Sequence, residues 1–252
     1  MVNDYNKLPQ ITLSFWIMKI CATTLGETAG DLLSMTLKIG YALSSIILIT
    51  LFLLSLAAQL RSKKYIPLLY WLVILTTSTA GTTISDYMDR TLELGYMKGA
   101  LILITLLISI LTFWKIKFGS LSVKNIKSFK VELTYWSAIL TSNTLGTAFG
   151  DYIADDLGLG FFGGAALTSA VLVAVALAYY FSSVSRVILF WIAFVVTRPL
   201  GATVGDFLTK SNEKGGLDLG TVGSSAILFT VLVGLIIFTG NQASRPKSIE
   251  TA

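Results

Sequence analysis

The residues of this chain that could do chemistry are carboxylates set among apolar residues. Glu27 and Asp31 are four residues apart, and an aspartate recurs as Asp86, Asp151 and Asp206. On a helix, this spacing puts Glu27 and Asp31 on one face, where two carboxylates repel each other unless a cation lies between them. Oxygen ligands suit hard cations such as Mg²⁺, Ca²⁺ or Mn²⁺. The pattern therefore predicts cation chemistry, and one hypothesis is a metal site at Glu27 and Asp31.

Each of the four aspartates closes a sixteen-residue stretch, and these stretches run 16–31, 71–86, 136–151 and 191–206. Counting the opening Trp as position 0, positions 0, 7, 8, 11 and 15 fall within one arc of a helix. The arc includes neutral side chains that could act as further ligands, namely Thr24, Thr79, Asn143 and Thr144. Because polar groups inside a membrane face other helices or water rather than lipid, we expect the four arcs to meet around a polar, acid-lined cavity.

Two bases also lie within the apolar segments. Lys19 belongs to the first stretch, and Arg198 occupies position 7 of the fourth. An unpaired charge at such a depth is costly, so we predict an ion pair between Arg198 and Glu27. This pair is either purely structural or is broken during transport, and the adjacent Pro199 removes one backbone hydrogen bond beside it.

The elements that must position these residues are membrane helices. The 252 residues are 54% hydrophobic and only 13% charged, whereas soluble domains carry about 25% charged residues. The sequence predicts an all-α integral membrane protein with eight transmembrane helices, at about 11–33, 39–60, 66–87, 95–116, 132–153, 160–182, 186–208 and 219–239. With no histidine and one cysteine, we expect neither an enzyme nor a soft-metal site, and no cofactor beyond a bound divalent cation.

Internal repetition predicts how these helices are grouped. The opening tryptophans are 55, 65 and 55 residues apart, which indicates a two-helix unit duplicated twice. Such parallel repeats are related by an axis along the membrane normal. The predicted organisation is a first half at 1–116, a basic cytoplasmic linker at 117–131, a second half at 132–240 and a cytoplasmic tail at 241–252. Small residues four apart, such as Gly26 and Gly30, predict close helix packing.

The charged residues outside the helices predict the orientation. One set of connections holds twelve bases and the other holds five. The first set is Lys7, Arg61, Lys63, Lys64, Lys115, Lys117, Lys124, Lys127, Lys130, Arg186, Arg245 and Lys247, and the second is Lys38, Arg90, Lys98, Lys210 and Lys214. Because basic loops stay in the cytoplasm, both termini are predicted to be cytoplasmic. The opposite face carries most of the acids and would attract cations.

The repeated stretch also carries a family resemblance, most clearly in 23–31 (TTLGETAGD) and 197–206 (TRPLGATVGD). From about residue 10 to residue 240, the chain resembles a prokaryotic family of multi-pass, membrane-anchored repeat proteins of unknown function. The resemblance implies a multi-pass protein of the prokaryotic inner membrane, and it implies no activity or functional residue. The second copy departs most from the motif, with Ala80 before its glycine and Ser85 before its aspartate.

Three functions remain open on the sequence. The first is a transporter or channel for a cation, either a hard divalent metal or a proton-coupled cation. The second is a transporter of a small organic or anionic solute that uses Arg198 and Lys19 as counter-charges. The third is a non-transporting membrane scaffold or sensor. The expected partners are the lipid bilayer and a small ion or solute, with no nucleic acid, and the sequence leaves a homo-oligomer open.

Overall fold

A computed structural model describes residues 7–123, 126 and 128–243, with side chains as far as residue 240. Four of the bases used to predict the orientation (Lys124, Lys127, Arg245 and Lys247) lie outside these residues. So do the last nine residues of the predicted tail, whereas residues 241–243 belong to the last helix. The described part of the linker includes a helical start at Phe129, three residues before the predicted boundary.

The described residues form eight long helices and no strand. These helices are α1 (Leu13–Asp31), α2 (Tyr41–Arg61), α3 (Pro67–Asp86), α4 (Tyr96–Phe118), α5 (Phe129–Asp151), α6 (Gly160–Phe181), α7 (Arg186–Thr209) and α8 (Thr221–Ala243). Local signals set several ends. Thr12 and Ser128 cap α1 and α5 by accepting hydrogen bonds from Phe15 N and Val131 N, and Pro67 opens α3. The all-helical prediction is confirmed.

The chain reverses direction in the same way after three of the four motif aspartates. A five-residue π-helical turn follows Asp31, Asp86 and Asp151. In the fourth copy α7 instead continues to Thr209, and a short 3₁₀ turn follows at Asn212–Lys214. The extra residues of the fourth copy therefore enlarge this loop.

The glycine that recurs at the start of each even-numbered helix meets a backbone requirement. Gly40, Gly95, Gly160 and Gly220 all have positive φ, between 63° and 82°. Glycine adopts this conformation without a Cβ clash. The residue two places earlier has positive φ in every copy as well, and is Lys38, Glu93, Gly158 or Asp218.

The four odd-numbered helices form a closed ring in which α1 packs on α3, α3 on α5, α5 on α7 and α7 on α1. The even-numbered helices lie outside this ring. Each packs on the odd-numbered helix of the following repeat, so α2 covers α3, α4 covers α5, α6 covers α7, and α8 returns to cover α1. The inner ring therefore buries the repeated polar stretches, while the outer helices carry most of the exposed apolar side chains.

Close approach between the inner helices depends on the motif glycine at position 10. A Cβ built on Gly26, Gly81, Gly146 or Gly201 would collide with position 7 of the next odd-numbered helix, which is Ser78, Asn143, Arg198 or Thr23. At Gly81 the collision is with backbone, 2.9 Å from the carbonyl carbon of Asn143. The predicted packing role of these glycines is confirmed, and it brings the polar side chains of neighbouring copies together.

Six helices are long and apolar enough to cross a membrane, namely α2, α3, α4, α6, α7 and α8. The two that are not, α1 and α5, belong to the inner ring. Large apolar residues along the outer helices are more than half exposed. Examples are Ile46, Leu101, Phe162 and Phe229, at 63%, 57%, 68% and 53%. An apolar outer surface around a polar interior is the arrangement expected of a membrane protein.

Candidate cation site

The interior of the ring holds the charged side chains in three levels. The level nearest the carboxyl ends of the odd-numbered helices, here called the acidic end, contains the four motif aspartates. The middle level contains Glu27 and Arg198, and the inner level contains Lys19. The opposite end, here called the basic end, contains the amino ends of the same helices.

At the acidic end, Asp31, Asp86, Asp151 and Asp206 are only 2–3% exposed. Each belongs to the last residues of an inner helix, where an aspartate is unfavourably placed relative to the negative end of the helix dipole. Their burial therefore requires positive partners. These aspartates do not extend into water, and Asp31, Asp86 and Asp151 make no side-chain hydrogen bond that caps the turn after them.

Two bases supply this positive charge. Arg90 Nε lies 2.9 Å from Asp86 of its own copy, and Arg90 Nη2 lies 3.1 Å from Asp151 of the next copy. Lys210 repeats the arrangement, because its Nζ lies 3.1 Å from Asp206 of its own copy and bonds to Asp31 of the first. Each base thus bridges aspartates from two adjacent copies.

These bridging bases are the parts of the site that reach toward the surface. The side chains of Arg90 and Lys210 are 31% and 17% exposed, while those of their carboxylate partners are at most 5% exposed. Burial alone would lower the pKa of Lys210, but the carboxylates of Asp206 and Asp31 raise it above its ordinary value. Lys210 therefore carries a full positive charge between the two carboxylates.

In the middle level, the predicted ion pair is confirmed. Arg198 Nη1 donates to Glu27 Oε2 at 2.9 Å, and both side chains are at most 4% exposed. Arg198 Nη2 donates to the hydroxyls of Thr82 and Thr147 at 2.6 and 2.7 Å. These threonines occupy position 11 in the second and third copies, the place that Glu27 holds in the first. One charged carboxylate and two hydroxyls therefore surround one guanidinium.

The inner level contains Lys19, which is fully buried. Its Nζ donates to Asn143 Oδ1 at 3.4 Å and lies 4.2 Å from the centre of the Phe194 ring. Asn143 Nδ2 in turn donates to Thr77 Oγ1 at 2.9 Å. Lys19, unlike Arg198, is therefore held by neutral groups.

An aromatic layer closes the ring at the basic end. All four inner helices contribute to it, through Phe15, Tyr70, Trp71, Tyr135, Trp136 and Trp191. The hydroxyls of Tyr70 and Tyr135 bond to each other at 2.9 Å within this layer. Three of the four motif tryptophans, those in the second, third and fourth copies, are at most 5% exposed. They pack inside the protein, so the polar interior is closed toward the basic end and approaches the surface at the acidic end.

Three of the four predicted neutral ligands are buried and hydrogen-bonded within their own helices. The hydroxyls of Thr24, Thr79 and Thr144 donate to backbone carbonyls one turn earlier in their own helices, at 2.9–3.2 Å. Asn143 does face the axis, as predicted, but its partners are Lys19 and Thr77.

The roles of Arg90 and Lys210 were not predicted from the sequence, where both appear only as bases of the outer connections. Both lie four residues after a motif aspartate, at position 19, where the other two copies have Met35 and Asp155. This i,i+4 spacing predicts the contact of each base with the aspartate of its own copy. The contact with the aspartate of the neighbouring copy depends on the ring of inner helices and could not be predicted from the spacing.

One group of carboxylates has the geometry to hold a metal ion. Oxygens of Glu27, Asp31 and Asp206 lie within 4.8 Å of one another, and all three residues are buried. Asp206 of the fourth copy is thus a third candidate ligand beside Glu27 and Asp31. In the structure, these same carboxylates hold Arg198 and Lys210.

The four copies coincide with repeats of a known family model. No curated protein and no solved structure matches the chain. The model described as Repeat of Unknown Function (DUF347) matches at residues 14–65, 69–117, 134–185 and 189–239. Each match covers one inner helix and the outer helix that follows it, and together the matches cover most of the chain. The chain belongs to this family, with four copies of its repeat.

Proposed function

We propose that this protein is a membrane transporter for a cation, which it binds at the acidic end of the inner ring. The observation that carries the proposal is the bridging of two aspartates by Lys210, repeated by Arg90. Each pair of bridged aspartates forms a cation-binding site between two copies. A basic side chain of the protein already occupies that site. A free cation that enters such a place has to displace the tethered ammonium or guanidinium group.

The charges of the interior favour a cation over an anion as the ligand. Five buried carboxylates (Glu27, Asp31, Asp86, Asp151 and Asp206) are paired with three bases, Arg90, Arg198 and Lys210. An excess of negative charge in a site of low dielectric attracts cations strongly. An anionic solute would need an accessible base, whereas Arg198 is already bonded to Glu27 and two threonines and Lys19 is fully buried.

The proposal includes all eight helices as membrane spans. The polar helices α1 and α5 are 19 and 23 residues long, which is about 28–35 Å at 1.5 Å per residue and close to the thickness of the hydrocarbon core. Both lie between α3 and α7 in the ring, where protein rather than lipid surrounds their polar faces. The matching contacts of the four copies support a pseudo-symmetry axis along the membrane normal.

We place the basic end in the cytoplasm and the acidic end outside. Among the described residues, Lys7, Arg61, Lys115, Lys117 and Arg186 lie at the basic end, and basic segments are retained in the cytoplasm. The cation would then enter from outside and meet the aromatic layer as the barrier before the cytoplasm. The family resemblance supports a prokaryotic inner membrane.

Removal of the ammonium group of Lys210 tests the proposal. In the first copy the position of Lys210 is occupied by Met35, so Lys210→Met introduces a side chain that this position already carries elsewhere in the protein. Without the ammonium group, the carboxylates of Asp31 and Asp206 can bind a cation from solution. We expect Mg²⁺, Mn²⁺, methylammonium or guanidinium, each titrated separately, to raise the melting temperature of the variant more than that of the wild type.

A flux assay completes the test. In proteoliposomes the wild type should move the cation that stabilises Lys210→Met, and Glu27→Gln should reduce that flux. Lys98→Met is a control, because Lys98 lies at the same end and is exposed. The proposal fails if no cation stabilises Lys210→Met beyond the wild type and the wild type shows no cation flux. A non-transporting scaffold would then be the better interpretation.

A further inference from the structure

A cavity of about 290 Å³ lies at the basic end, where α2 ends and α5 begins. Its lining includes three bases and one acid, namely Lys7, Arg61, Lys63 and Glu132. Lys7 Nζ lies 2.7 Å from Glu132 Oε2 and donates to the backbone oxygen of Leu60 at 3.2 Å. Lys7 therefore already offsets the charge of the one acid in the lining.

The other two bases of the cavity are not paired with an acid. Arg61 and Lys63 are both exposed, and neither forms an ion pair within the described part of the chain. Two positive charges side by side attract an anion. The cavity therefore favours a negatively charged ligand.

The start of α5 adds backbone donors to these two charges. Ser128 and Phe129 line the cavity, and Ser128 caps this 23-residue helix by accepting a hydrogen bond from Val131 N. Most N–H groups in the first turn of a helix have no partner within the helix, and a helix N-terminus attracts phosphate groups. A phosphate therefore suits the cavity better than a carboxylate does.

Glu132 adds a second requirement, which is a hydrogen-bond donor. Its Oε1 is buried and has no hydrogen-bond partner among the described residues, while its Oε2 bonds to Lys7. The other copies have Thr12, Pro67 and Val187 at this position, so the packing of the repeat does not require an acid here. A buried acceptor without a partner is costly. A ligand that donates a hydrogen bond from the cavity would satisfy Oε1.

Apolar side chains beside the cavity favour a membrane lipid over a soluble phosphate ester. Phe129 is 61% exposed, and Leu133 is exposed one turn further along α5. On α2, Leu54 is 64% exposed and precedes Arg61 by seven residues, a spacing that puts both on one face of the helix. An acyl chain that packs on these side chains places its headgroup at the cavity.

We propose that this cavity binds the headgroup of an anionic phospholipid of the phosphatidylglycerol type. The phosphate is bound by Arg61, Lys63 and the start of α5, and a hydroxyl of the headgroup donates to Glu132 Oε1. Basic pockets between helices on the cytoplasmic side of a membrane suit anionic headgroups. The site is separate from the cation site and does not depend on cation transport.

The charge balance selects this headgroup. Because Lys7 offsets Glu132, the charges of Arg61 and Lys63 remain, and a phosphodiester linked to glycerol offsets one of them while its hydroxyls supply the donor. A headgroup with an ammonium group, as in phosphatidylethanolamine, carries no net charge and would leave both bases uncompensated.

Lipid titration of the purified full-length protein in a mild detergent tests the site. Phosphatidylglycerol, phosphatidylmethanol, phosphatidylethanolamine and phosphatidylcholine are added separately, and bound lipid is counted by native mass spectrometry. Phosphatidylmethanol has the charge of phosphatidylglycerol without its headgroup hydroxyls. We expect phosphatidylglycerol to bind most tightly and phosphatidylmethanol next. Equal binding of all four lipids, or tighter binding of phosphatidylethanolamine, would overturn the proposal. So would an increase in melting temperature with glycerol 3-phosphate equal to that with phosphatidylglycerol, because the ligand would then be soluble.

A double variant tests the two bases. Arg61→Gln with Lys63→Gln should weaken the binding of phosphatidylglycerol about tenfold or more, because two charge-assisted contacts are lost. Lys64→Gln with Lys117→Gln is the matched control, since both lysines are exposed at the basic end and neither lines the cavity. The same weakening in both double variants would indicate a general attraction to the basic end and would refute the site.

A second double variant tests the acceptor. Lys7→Met with Glu132→Val removes both charges of the buried pair and installs the residue that Val187 provides in the fourth copy. This variant should bind phosphatidylglycerol and phosphatidylmethanol equally, because Oε1 is gone. A persisting preference for phosphatidylglycerol would refute the role of Glu132. If this variant does not fold, the comparison of lipids on the wild type and on Arg61→Gln with Lys63→Gln still decides the proposal.

Discussion

Replacement of Glu27 by threonine should strongly destabilise the protein. Glu27→Thr removes the carboxylate that is bonded to Arg198 and leaves the guanidinium with Thr82, Thr147 and the carbonyl oxygen of Ser78. The new threonine reproduces the residue at the same position in the second and third copies. The effect therefore reports the lost charge more than a change of packing.

The size of the effect follows from the burial of the pair. Arg198 is fully buried and cannot regain hydration, and breaking a buried ion pair by removing one partner costs about 3–5 kcal/mol. The three remaining neutral hydrogen bonds contribute about 0.5–1.5 kcal/mol each and are already present in the wild type. The double variant Glu27→Thr with Arg198→Asn removes both charges and should be more stable than Glu27→Thr alone.

The unfolding free energy in mixed micelles of SDS and a mild detergent provides the assay. Glu27→Asp is a control that keeps the charge and shortens the side chain. The reasoning is refuted if the double variant is destabilised by the sum of the two single changes, because additivity would mean that Glu27 and Arg198 do not stabilise each other.

Three further outcomes are expected. Gly81→Ala forces a contact with backbone and should cost about 1–3 kcal/mol, whereas Gly234→Ala, with nothing within 4 Å, should not destabilise; equal effects on the melting temperature would contradict this. Since its carboxylate partners raise the pKa of Lys210, its contribution is complete below the ordinary lysine pKa of about 10.4 and is lost only at higher pH. The stability difference between wild type and Lys210→Met should therefore stay constant between about pH 7 and 10; a difference that closes in this range would refute the bridge. Lys7→Met leaves the buried Glu132 carboxylate without its base, 2.7 Å away, and should cost about 1–3 kcal/mol, most of which Glu132→Gln recovers; no recovery in a thermal melt would argue against the pair.

Sequence patterns predicted the helices and their pairing into repeats because both depend on local periodicity. The apolar runs and the opening tryptophans located all eight helices, with ends that differ from the structure by a few residues. The Arg198–Glu27 pair was also predictable, since one acid and one base stood alone at comparable depth. The hydroxyl partners of Arg198 were visible as position 11 of the repeat, although their contact with it was not.

The bridges at the acidic end could not be predicted in full, for a physical reason. Arg90 and Lys210 each join a local aspartate to one that is 61 or 179 residues away. Such contacts depend on which inner helices are neighbours, and repeat spacing leaves that order undetermined. The i,i+4 spacing predicts the contact of each base with the nearby aspartate. The contact with the distant aspartate depends on the ring of inner helices.

What the sequence by itself determined is the set of charges and their positions along the helices, because helical rise and the repeat length place each side chain along its helix axis. Only the tertiary structure decided how those charges pair around the axis. The motif glycines let neighbouring helices approach until position 7 of one contacts position 10 of the other. This approach brings Glu27, Arg198 and the four aspartates into one interior, and it leaves Lys19 beside them without a carboxylate.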